Sequence, residues 1–555
     1  MEIYGIVNME QLLLRYRKYF NENEIPNLYD YQRKAINILL AKKNCLTIVP
    51  TGGGKSLIFH LVGLELGGTT IVVSPLKALM QEQVNDLNKR GISAIAITSD
   101  IGFQKQRKFL RELGSHNYQF VFVSPERLQN YFFRAALLHS GCKITQVVID
   151  EAHCISQWGF DFRPEYAEIK NFLEYLSENG QIPVICALTA TLSQKAAEDI
   201  KREFNIADDI VFGKESLIRP ELILNYVKVE DKDAEEQKWK QLVDFIRKNG
   251  SKKILIYFYS KKKCEDLCKR FMDENPIQKF KVDYFHAGLD SEEKLNKYNA
   301  FRKGEINILF TTTAFGMGMN IPDIDCIIQY HLPKSIEEYY QQVGRGARVL
   351  NICPKCDCLL FWSEKNIIEN KREIEKDLLT EEKILRGYDH LGLTQEINKI
   401  SSITYSELDR AKINLPKLKF ILEKLNILKT IGEINGGPST IRFIRETTQW
   451  QEIKQKAIGN SFIIASIRMK KSLQELVNFV YDQDLKGNVE YLPAMDKKIF
   501  IKTISNCNDK NIIDTIVSDD KEKINYQLDR FIELENLCKS IDPVSYLSGI
   551  FKKLP

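Results

Sequence analysis

The sequence predicts an α/β protein with two tandem parallel-sheet domains, followed by a mainly helical C-terminal region that contains a winged helix. Short apolar runs such as 120–123 and 254–258 alternate with helical patterns, which is typical of buried parallel strands joined by crossover helices. One set of runs ends near residue 191, and a second set starts near Arg219. Only the first set contains a glycine-rich loop.

The composition is that of a soluble globular protein. Of 555 residues, 44% are hydrophobic and 28% are charged, which leaves ample chain for several cores. The net charge of +5 is small for this length, so charge alone neither requires nor excludes nucleic acid. The 12 cysteines lack regular spacing, no secretory pattern is present, and no apolar run reaches the ~18 residues of a membrane helix. We expect a reducing, cytoplasmic environment without membrane contact.

A candidate phosphate-binding loop follows the strand pattern at 45–49. The loop consists of Thr51, Gly52, Gly53, Gly54, Lys55 and Ser56. Glycines let backbone N–H groups turn towards phosphate oxygens, the lysine adds a charge, and the serine hydroxyl can ligate Mg²⁺. Val49 stands where the strict motif has glycine, so the match is partial. Gln32, just ahead of the loop, is a candidate for reading an adenine edge.

Two adjacent carboxylates, Asp150 and Glu151, come directly after the strand pattern at 146–149. The carboxyl ends of parallel strands are where open α/β sheets bind ligands. Asp150 can hold Mg²⁺ through oxygen, and Glu151 can orient and deprotonate an attacking water. An isolated acidic pair is more often part of a solvated loop, but the phosphate loop favours the catalytic interpretation.

Hydroxyl and basic side chains follow three further strand patterns of the first domain. They are Ser74 with Lys77, Ser124 with Arg127, and Thr189 with Thr191. Such groups at one sheet edge can hold a nucleic-acid backbone. Plain helix capping explains each serine equally well.

The second domain has an arginine pair in place of a phosphate loop. Arg345 and Arg348 follow Gln341 and lie three residues apart, on one side of a helical turn. Guanidinium groups clamp phosphate oxygens where charge builds up in phosphoryl transfer, although such a pair is ordinarily a solvated helix face. Together the two domains predict a composite ATP site in the cleft between them.

With these residues in place, the chain resembles the superfamily 2 helicases and, within them, the RecQ family of DNA helicases. The matching motifs are TGGGKS at 51–56, SPLKALMQEQV at 74–84, SPERL at 124–128, DEAHCISQWGFDFRPEY at 150–166, LTAT at 188–191, YFHAGL at 284–289, AFGMGMNIPD at 314–323 and YYQQVGRGAR at 339–348. The resemblance covers residues 28–365, and the segment SQWGFDFRP is its RecQ-specific part.

The resemblance implies two RecA-like domains and an ATP- and Mg²⁺-dependent helicase that moves 3′ to 5′ on single-stranded DNA and unwinds forked DNA. The implied catalytic residues are Lys55, Asp150, Glu151, Gln341, Arg345 and Arg348, with Ser56 and Asp150 at Mg²⁺ and Gln32 and 51–56 at ATP. The implied coupling residues are His153, Thr189, Thr191, Gly318 and Asn320. The implied DNA contacts are Ser74, Lys77, Ser124, Arg127, Trp158, Phe160, Phe162 and Arg163. The aromatic members match a loop thought to sense single strands, and exposed rings do stack bases.

Four features depart from the family pattern. Phe160 stands where the family usually has His, and Asn320 stands where it usually has Asp. Asp325 stands where a basic residue often follows the Pro-Asp pair. The segment 344–348 reads GRGAR where the family commonly has GRAGR. The arginine spacing is kept, so the hydrolytic set is intact and the departures concern coupling to DNA.

The resemblance and the patterns together predict five segments. They are an N-terminal helix at 1–27, a first RecA-like domain at 28–217, a second at 218–365, a helical linker with a winged-helix-like domain at 366–449, and a helical domain of unassigned role at 450–555. Asn414 is expected to cap a helix, and 427–434 with 440–445 is expected to form a hairpin. The C-terminal region is the expected site for any protein partner.

No zinc is expected. Many RecQ proteins hold zinc with four cysteines after the motor, but this chain has none between Lys371 and Trp450. The only dense cluster is Cys353, Cys356 and Cys358, and structural zinc needs four ligands. We expect a reduced thiol cluster in a hairpin instead.

The sequence is compatible with three functions. ATP-dependent DNA unwinding is the main hypothesis. A nucleic-acid-stimulated ATPase or translocase, acting in a genome-maintenance or anti-phage defence complex without processive unwinding, is its nearest rival. The third is a non-catalytic DNA-binding scaffold, against which the intact Lys55, Asp150 and Glu151 argue.

Overall fold

A computed structural model describes residues 8–19, 27–49, 52–75, 77–97, 103–116, 118–156, 158, 163–190, 193–207, 210–213, 219–249, 253–274, 280–315, 321–393, 396–404, 413–436, 440–443, 448–456, 469–492, 496–506 and 509–552. These residues form two parallel-sheet lobes, a small antiparallel sheet, a strand pair and a set of C-terminal helices.

Lobe 1 is built on seven strands: β1 (Cys45–Ile48), β2 (Thr69–Val73), β3 (Ala94–Ile97), β4 (Phe120–Val123), β5 (Ile144–Ile149), β6 (Val184–Thr189) and β7 (Ile210–Phe212). They pair in the order β3-β4-β2-β5-β6-β1-β7, and every pair is parallel. Most strand residues are buried because helices cover both faces. The carboxyl ends of β1, β5 and β6 therefore lie side by side.

The helices of lobe 1 are α1 (Met9–Arg15), α2 (Asp30–Leu40), α3 (Lys55–Leu66), α4 (Lys77–Lys89), α5 (Phe103–Ser115), α6 (Tyr131–His139), α7 (Glu168–Glu178) and α8 (Gln194–Glu203). Helix α1 lies within the predicted N-terminal segment 1–27. Its Leu12 and Leu13 are buried in the same apolar cluster as Ile36 and Leu39 of α2, so it packs as part of lobe 1.

Lobe 2 contains six strands: β8 (Leu222–Lys228), β9 (Ile254–Tyr257), β10 (Val282–Phe285), β11 (Ile308–Thr311), β12 (Cys326–Gln329) and β13 (Cys356–Trp362). They form a parallel sheet in the order β10-β11-β9-β12-β13-β8. Its helices are α9 (Ala234–Asn249), α10 (Lys261–Glu274), α11 (Ser291–Arg302) and α12 (Ile336–Val343). The described parts of both α/β domains thus have the predicted parallel architecture.

The expected cysteine hairpin is wrong, because Cys356 and Cys358 begin β13, a buried strand between β12 and β8. The apolar run that follows them favours burial on both faces of a sheet, which a hairpin would not provide. Within the described ranges, no three His, Cys, Asp or Glu side chains converge as a metal site. The absence of zinc stays a prediction.

The C-terminal elements are α13 (Glu364–Lys376), α14 (Glu381–His390), β14 (Ile400–Thr404), α15 (Leu415–Lys424), β15 (Leu428–Gly436), β16 (Thr440–Phe443), α16 (Thr448–Lys456), α17 (Leu473–Leu485), β17 (Val489–Leu492), β18 (Asp496–Thr503), α18 (Lys510–Lys539) and α19 (Pro543–Lys552). None of the helices in the described part of the chain has both the length and the apolar character that crossing a membrane requires. The predicted cap is confirmed, since Asn414 accepts a hydrogen bond from the Lys417 N–H at 3.2 Å.

The hairpin expected from 427–434 and 440–445 is also wrong. β15 pairs with β18 in an antiparallel sheet of order β14-β18-β15, while β16 pairs with β17. Residues 440–492 are thus an insert between the two strands of one pair, and the expected boundary at 449/450 falls inside it. Turn residues at 435–438 indicated where β15 ends but could not identify its partner. The winged helix, with α15 before β15 and β18, stays a prediction.

The insert packs on lobe 1. Leu476 and Val480 of α17 are buried in the lobe 1 core, and α17 lies against α6. The Tyr481 hydroxyl donates to the Leu110 carbonyl at 2.6 Å, and Arg111 Nε lies 3.1 Å from Asp484 Oδ2. The insert therefore extends the core of lobe 1 rather than forming a separate helical domain.

Helix α18 contacts three parts of the molecule along its length. Its buried Asp520 pairs with Lys417 of α15 at 2.7 Å. Its Glu522 pairs with Lys195 of lobe 1 at 3.0 Å. Further along, Arg530 Nε donates to a carboxylate oxygen of Glu337 on α12 at 2.7 Å. One helix thus spans the antiparallel sheet unit, lobe 1 and lobe 2.

Leu476→Ala should destabilise lobe 1 by about 2–5 kcal/mol, because truncating a buried leucine leaves a cavity in the shared core. Thermal unfolding and amide hydrogen exchange of α6 measure the effect. Lys486→Ala, at an exposed position just after α17, is the control and should change little. Full protection of the α6 amides in Leu476→Ala would show that the insert does not belong to this core.

Candidate active site

The phosphate loop bends from the end of β1 into the first turn of α3. Gly54 has a φ of +73°, and a Cβ there would lie 2.5 Å from the Gln32 Nε2 atom, so only glycine fits without a shift. Helix α3 begins at Lys55, which places a helix N-terminus and its partial positive charge at the loop. Lys55 Nζ lies 3.8 Å from Glu151 Oε1.

Gln32 is buried against this loop. Its Nε2 donates to the carbonyl oxygens of Gly54 at 3.2 Å and Gly53 at 3.4 Å, and its Oε1 accepts from the Tyr29 N–H at 2.9 Å. The Tyr31 hydroxyl also donates to the Gly53 carbonyl, at 2.7 Å. In this arrangement Gln32 supports the loop, and its reading of adenine stays a prediction.

Asp150 and Glu151 lie beside the loop at the end of β5. Asp150 accepts hydrogen bonds from the Glu151 N–H at 3.0 Å and from the Ser74 hydroxyl at 3.3 Å. Glu151 has a φ of +51°, a left-handed conformation that non-glycine residues rarely adopt and that is concentrated at functional positions. This local strain accompanies a turn that places the Glu151 carboxylate near Lys55.

The two carboxylates have opposite electrostatic surroundings. Burial, followed by repulsion from Glu151, raises the pKa of Asp150. Burial also acts to raise the pKa of Glu151, but Lys55, His153 and Arg345 outweigh it and hold that pKa below its ordinary value. Glu151 is therefore ionised at neutral pH, as a group that orients and deprotonates water should be.

His153 joins this acidic pair to the neighbouring strand. It is 1% exposed, and its Nδ1 lies 3.0 Å from Thr189 Oγ1 and 3.4 Å from Glu151 Oε2. Two of the predicted coupling residues are thus brought together at the carboxyl ends of β5 and β6. Their coupling role stays a prediction.

Lobe 2 presents a buried cation to this site. Arg345 is 2% exposed, and its Nε and one Nη have no hydrogen-bond partner among the described residues. The pKa of Arg345 is lowered by burial, which Tyr257 and Glu151 partly offset. The Glu151 charge thus acts on Arg345 across the cleft. Gln341, at 9% exposure on α12, lines the part of the cleft that also contains Trp158 and Arg163.

A further arginine, Arg219, supports the backbone of residues 344–348, here called the arginine segment. Arg219 donates to the carbonyl oxygens of Gly344 at 3.1 Å and Ala347 at 2.6 Å, and it pairs with Glu221 at 2.6 Å. Burial and the neighbouring charges of Arg345 and Arg219 lower the pKa of Arg348. Positive charge is therefore concentrated beside the cleft, which favours binding of an anion.

The transposed GRGAR segment has a structural explanation. Ala347 adopts a φ of +47°, where a glycine would be less strained. At Gly346, by contrast, a Cβ would overlap the Cys356 side chain on β13. Glycine is thus placed where space is lacking, and alanine takes the strained backbone conformation.

The residues present fit a magnesium nucleotide. The loop and Lys55 suit phosphate oxygens, and the unpartnered donors of Arg345 suit an anion at the lobe boundary. Ser56 and Asp150 would supply the protein's oxygen ligands. Few protein ligands are needed, because Mg²⁺ at such sites is held by one or two protein oxygens, water and substrate phosphates.

The candidate nucleic-acid contacts divide into two groups. Ser74, Ser124 and Arg127 are buried, and the Ser74 hydroxyl donates to Asp150. Trp158 and Arg163 are half-buried and line a cleft of about 790 Å³ between the lobes. Trp158 and Arg163 are thus better placed to contact a nucleic-acid strand. Every one of these contacts stays a prediction.

Several predicted site residues lie outside the described part of the chain. They are Thr51, Phe160, Phe162, Thr191, Gly318 and Asn320. Lys77 begins α4, but its side chain is also outside that part.

Sequence reasoning missed residues that support the site without matching a motif. Tyr31 and Arg219 hydrogen-bond to the two loops, and Arg530 reaches α12 from the far end of the chain. Arg219 could have been found as a basic residue at the lobe boundary. No local signal identifies Arg530, because its partner lies 193 positions away.

Two protein-family models match the lobes. The DEAD/DEAH box helicase model matches residues 29–200, and the model of the helicase conserved C-terminal domain matches residues 237–350.

Known relatives match over the same region. The ATP-dependent DNA helicase Q-like 4B of Arabidopsis thaliana is 33% identical over 363 residues, 64% of this chain and 30% of that protein. The ATP-dependent DNA helicase RecQ of Bacillus subtilis (strain 168) is 33% identical over 347 residues, 62% of this chain and 55% of that protein. The chain thus spans between 30% and 55% of the length of these two relatives.

Solved structures agree at the level of the fold. S. cerevisiae Dbp5 bound to RNA and ADP BeF3 superposes with a TM-score of 0.51 at 18% identity, covering 67% of this chain and 92% of that one. At this identity the likeness concerns the two-lobe architecture alone.

Gly346→Ala should lower ATP turnover at least tenfold and reduce thermal stability, because the added Cβ overlaps Cys356 and shifts the segment between the two arginines. Steady-state hydrolysis and thermal unfolding measure both effects. Ala347→Gly is the matched control, since it relieves a left-handed φ one residue away and should keep activity. Unchanged turnover in Gly346→Ala would contradict the role assigned to this packing.

Proposed function

We propose that this chain, whose lobes match the two helicase domain models and whose relatives include RecQ-type DNA helicases, is an ATP-dependent DNA helicase moving 3′ to 5′ on single-stranded DNA. The observation that carries the proposal is the buried Arg345 of lobe 2, whose charge interacts with Glu151, the lobe 1 carboxylate that also pairs with Lys55. Hydrolysis then needs both lobes, so each nucleotide cycle is tied to their relative position.

In the proposed reaction, Lys55 and the N-terminus of α3 bind the phosphates. Glu151 orients a water molecule for in-line attack on the γ-phosphorus and accepts its proton. Arg345 donates to the phosphoryl oxygens, where negative charge increases as the bond to the leaving oxygen breaks. Mg²⁺, when bound through Ser56 and Asp150, neutralises charge on the phosphates. His153 keeps the Glu151 carboxylate oriented through its contact with Thr189.

Nucleic acid is proposed to enter the cleft between the lobes. Trp158 supplies a ring that can stack a base, and Arg163 supplies a charge that can bind a phosphate. Trp158 follows Ile155 by three residues, and Ile155 ends the short 3₁₀ helix that carries His153. Strand occupancy can thus affect the catalytic carboxylate over a short distance along the chain.

Lys55→Ala should reduce ATP turnover by at least 10³-fold while keeping the fold, because the lysine charge is lost but its side chain fills no core. ATP hydrolysis is measured without nucleic acid and with matched single-stranded DNA and RNA. Circular dichroism checks the fold, and the exposed Lys486→Ala is the activity control.

Strand displacement on 3′-tailed and 5′-tailed duplexes then tests the direction. Unwinding of the 3′-tailed duplex alone is the expected result. DNA-stimulated hydrolysis without displacement would favour the translocase alternative instead, and full turnover by Lys55→Ala would refute the proposed function.

A further inference from the structure

The long helix α18 presents one stripe of side chains to both lobes. Glu522, Tyr526 and Arg530 are spaced four residues apart and therefore share a helix face. The first two contact lobe 1, and the third contacts lobe 2. Tyr526 and Arg530 also line the cleft in which the proposed function places the nucleic acid.

On lobe 1 this stripe meets Trp158. The Tyr526 ring packs edge-on against the Trp158 ring, with centroids 5.4 Å apart and an interplanar angle of 89°. Lys195 Nζ lies 4.1 Å from the centre of the same Trp158 ring and pairs with Glu522. In this state the ring that could stack a base is therefore already in contact with α18.

On lobe 2 the stripe meets the helix that leads to the arginine segment. Arg530 donates to Glu337 in the first turn of α12, and Glu337 is 8% exposed. Helix α12 carries Gln341 and ends two residues before Arg345. A shift of α18 against this pair would therefore move the arginine segment.

The two attachments differ in kind. On lobe 2, Phe531, Leu534 and Leu537 of α18 are fully buried in the lobe core, so this attachment is the stronger of the two. On lobe 1, the contacts of α18 at this stripe include one aromatic pair, the Lys195 amine 5.4 Å from the centre of the Tyr526 ring, a half-exposed ion pair and a hydrogen bond between the Tyr526 and Ser193 side chains. Exposed ion pairs contribute little, so the lobe 1 attachment is the one that can be exchanged.

We propose that α18 couples nucleic acid to ATP hydrolysis, with Tyr526 and Arg530 as positioning residues. In the nucleic-acid-free state the edge-on Tyr526 ring and the Lys195 amine occupy the surroundings of Trp158 that a stacked base would need, and α18 restrains lobe 2 through Arg530 and Glu337. A nucleobase that stacks on Trp158 displaces Tyr526, because base stacking on an aromatic side chain is at least as strong as an aromatic pair. α18 then stays with lobe 2, and the arginine segment is free to close on the phosphate loop. This inference rests on the proposed function, since it assumes that single strands reach Trp158.

Binding of a fluorescent single-stranded oligonucleotide, measured by anisotropy without ATP, tests the competition directly. Tyr526→Ala should bind roughly 2- to 10-fold tighter than the wild type, the factor that corresponds to losing one aromatic competitor. Tyr526→Phe keeps the ring and should stay close to the wild type. Ile532→Ala, at a position of the same helix that is 39% exposed, is the control and should not change. Equal or weaker binding by Tyr526→Ala would overturn the inference.

ATP hydrolysis by the same variants separates this inference from the proposed function. Tyr526→Ala should raise turnover without nucleic acid roughly 2- to 10-fold and leave the maximal stimulated kcat unchanged. Trp158→Ala should also lose the restraint, but it should bind single strands more weakly and lose most of the stimulation. A parallel fall of both rates in Tyr526→Ala would indicate a merely structural role and overturn the inference. If the wild type hydrolyses no ATP while Tyr526→Ala still binds single strands more tightly, the proposed function fails and the competition at Trp158 stands.

Discussion

The arrangement depends on one buried positive charge, that of Arg345. Part of its guanidinium group has no hydrogen-bond partner among the described residues. Arg345 is almost completely buried, and an isolated buried ion costs several kcal/mol even after relaxation. Glu151 on the other lobe offsets part of that cost through space, and an anion in the cleft would offset more. A negatively charged ligand that reaches the free donors of Arg345 would therefore complete the charge balance of the site.

This constraint explains why so many residues support the arginine segment. Arg219 fixes its carbonyl oxygens, Gly346 allows close contact with β13, and Ala347 accepts a strained φ. Each of these features holds a cation at a place where the free energy of folding alone would not favour it. Ligand binding thus explains these locally destabilising features, which the stability of the fold does not explain. Such features are common at active sites.

The C-terminal region gives the two lobes a second set of constraints. Its insert extends the lobe 1 core, while α18 is anchored in the lobe 2 core and, among the described residues, meets lobe 1 through a polar and aromatic patch. The cleft is thus bridged by one strong and one weak attachment. Such an asymmetry allows a ligand at the weak attachment to change the relative position of the lobes.

The parts that the sequence predicted are those with strong local signals. Buried strand runs identified most of both parallel sheets, and the phosphate loop and the Asp150–Glu151 pair located the site, because these features need only a few adjacent residues. Pairing between distant segments was not predictable. The turn at 435–438 was visible, but the partner of β15 lies about sixty residues later, and the cysteine run was assigned to a hairpin although it forms a central strand. Arg530 has no motif, since only the fold brings it to α12.

The central claim is that Arg345 acts across the cleft on the phosphates bound by lobe 1. The most direct measurement compares ATP affinity with single-turnover hydrolysis in Arg345→Gln at saturating single-stranded DNA. We expect affinity to fall less than about tenfold and the hydrolysis rate to fall by roughly 10³-fold or more, because a guanidinium of this kind acts mainly on the transition state. Hydrolysis within tenfold of the wild type would contradict the account.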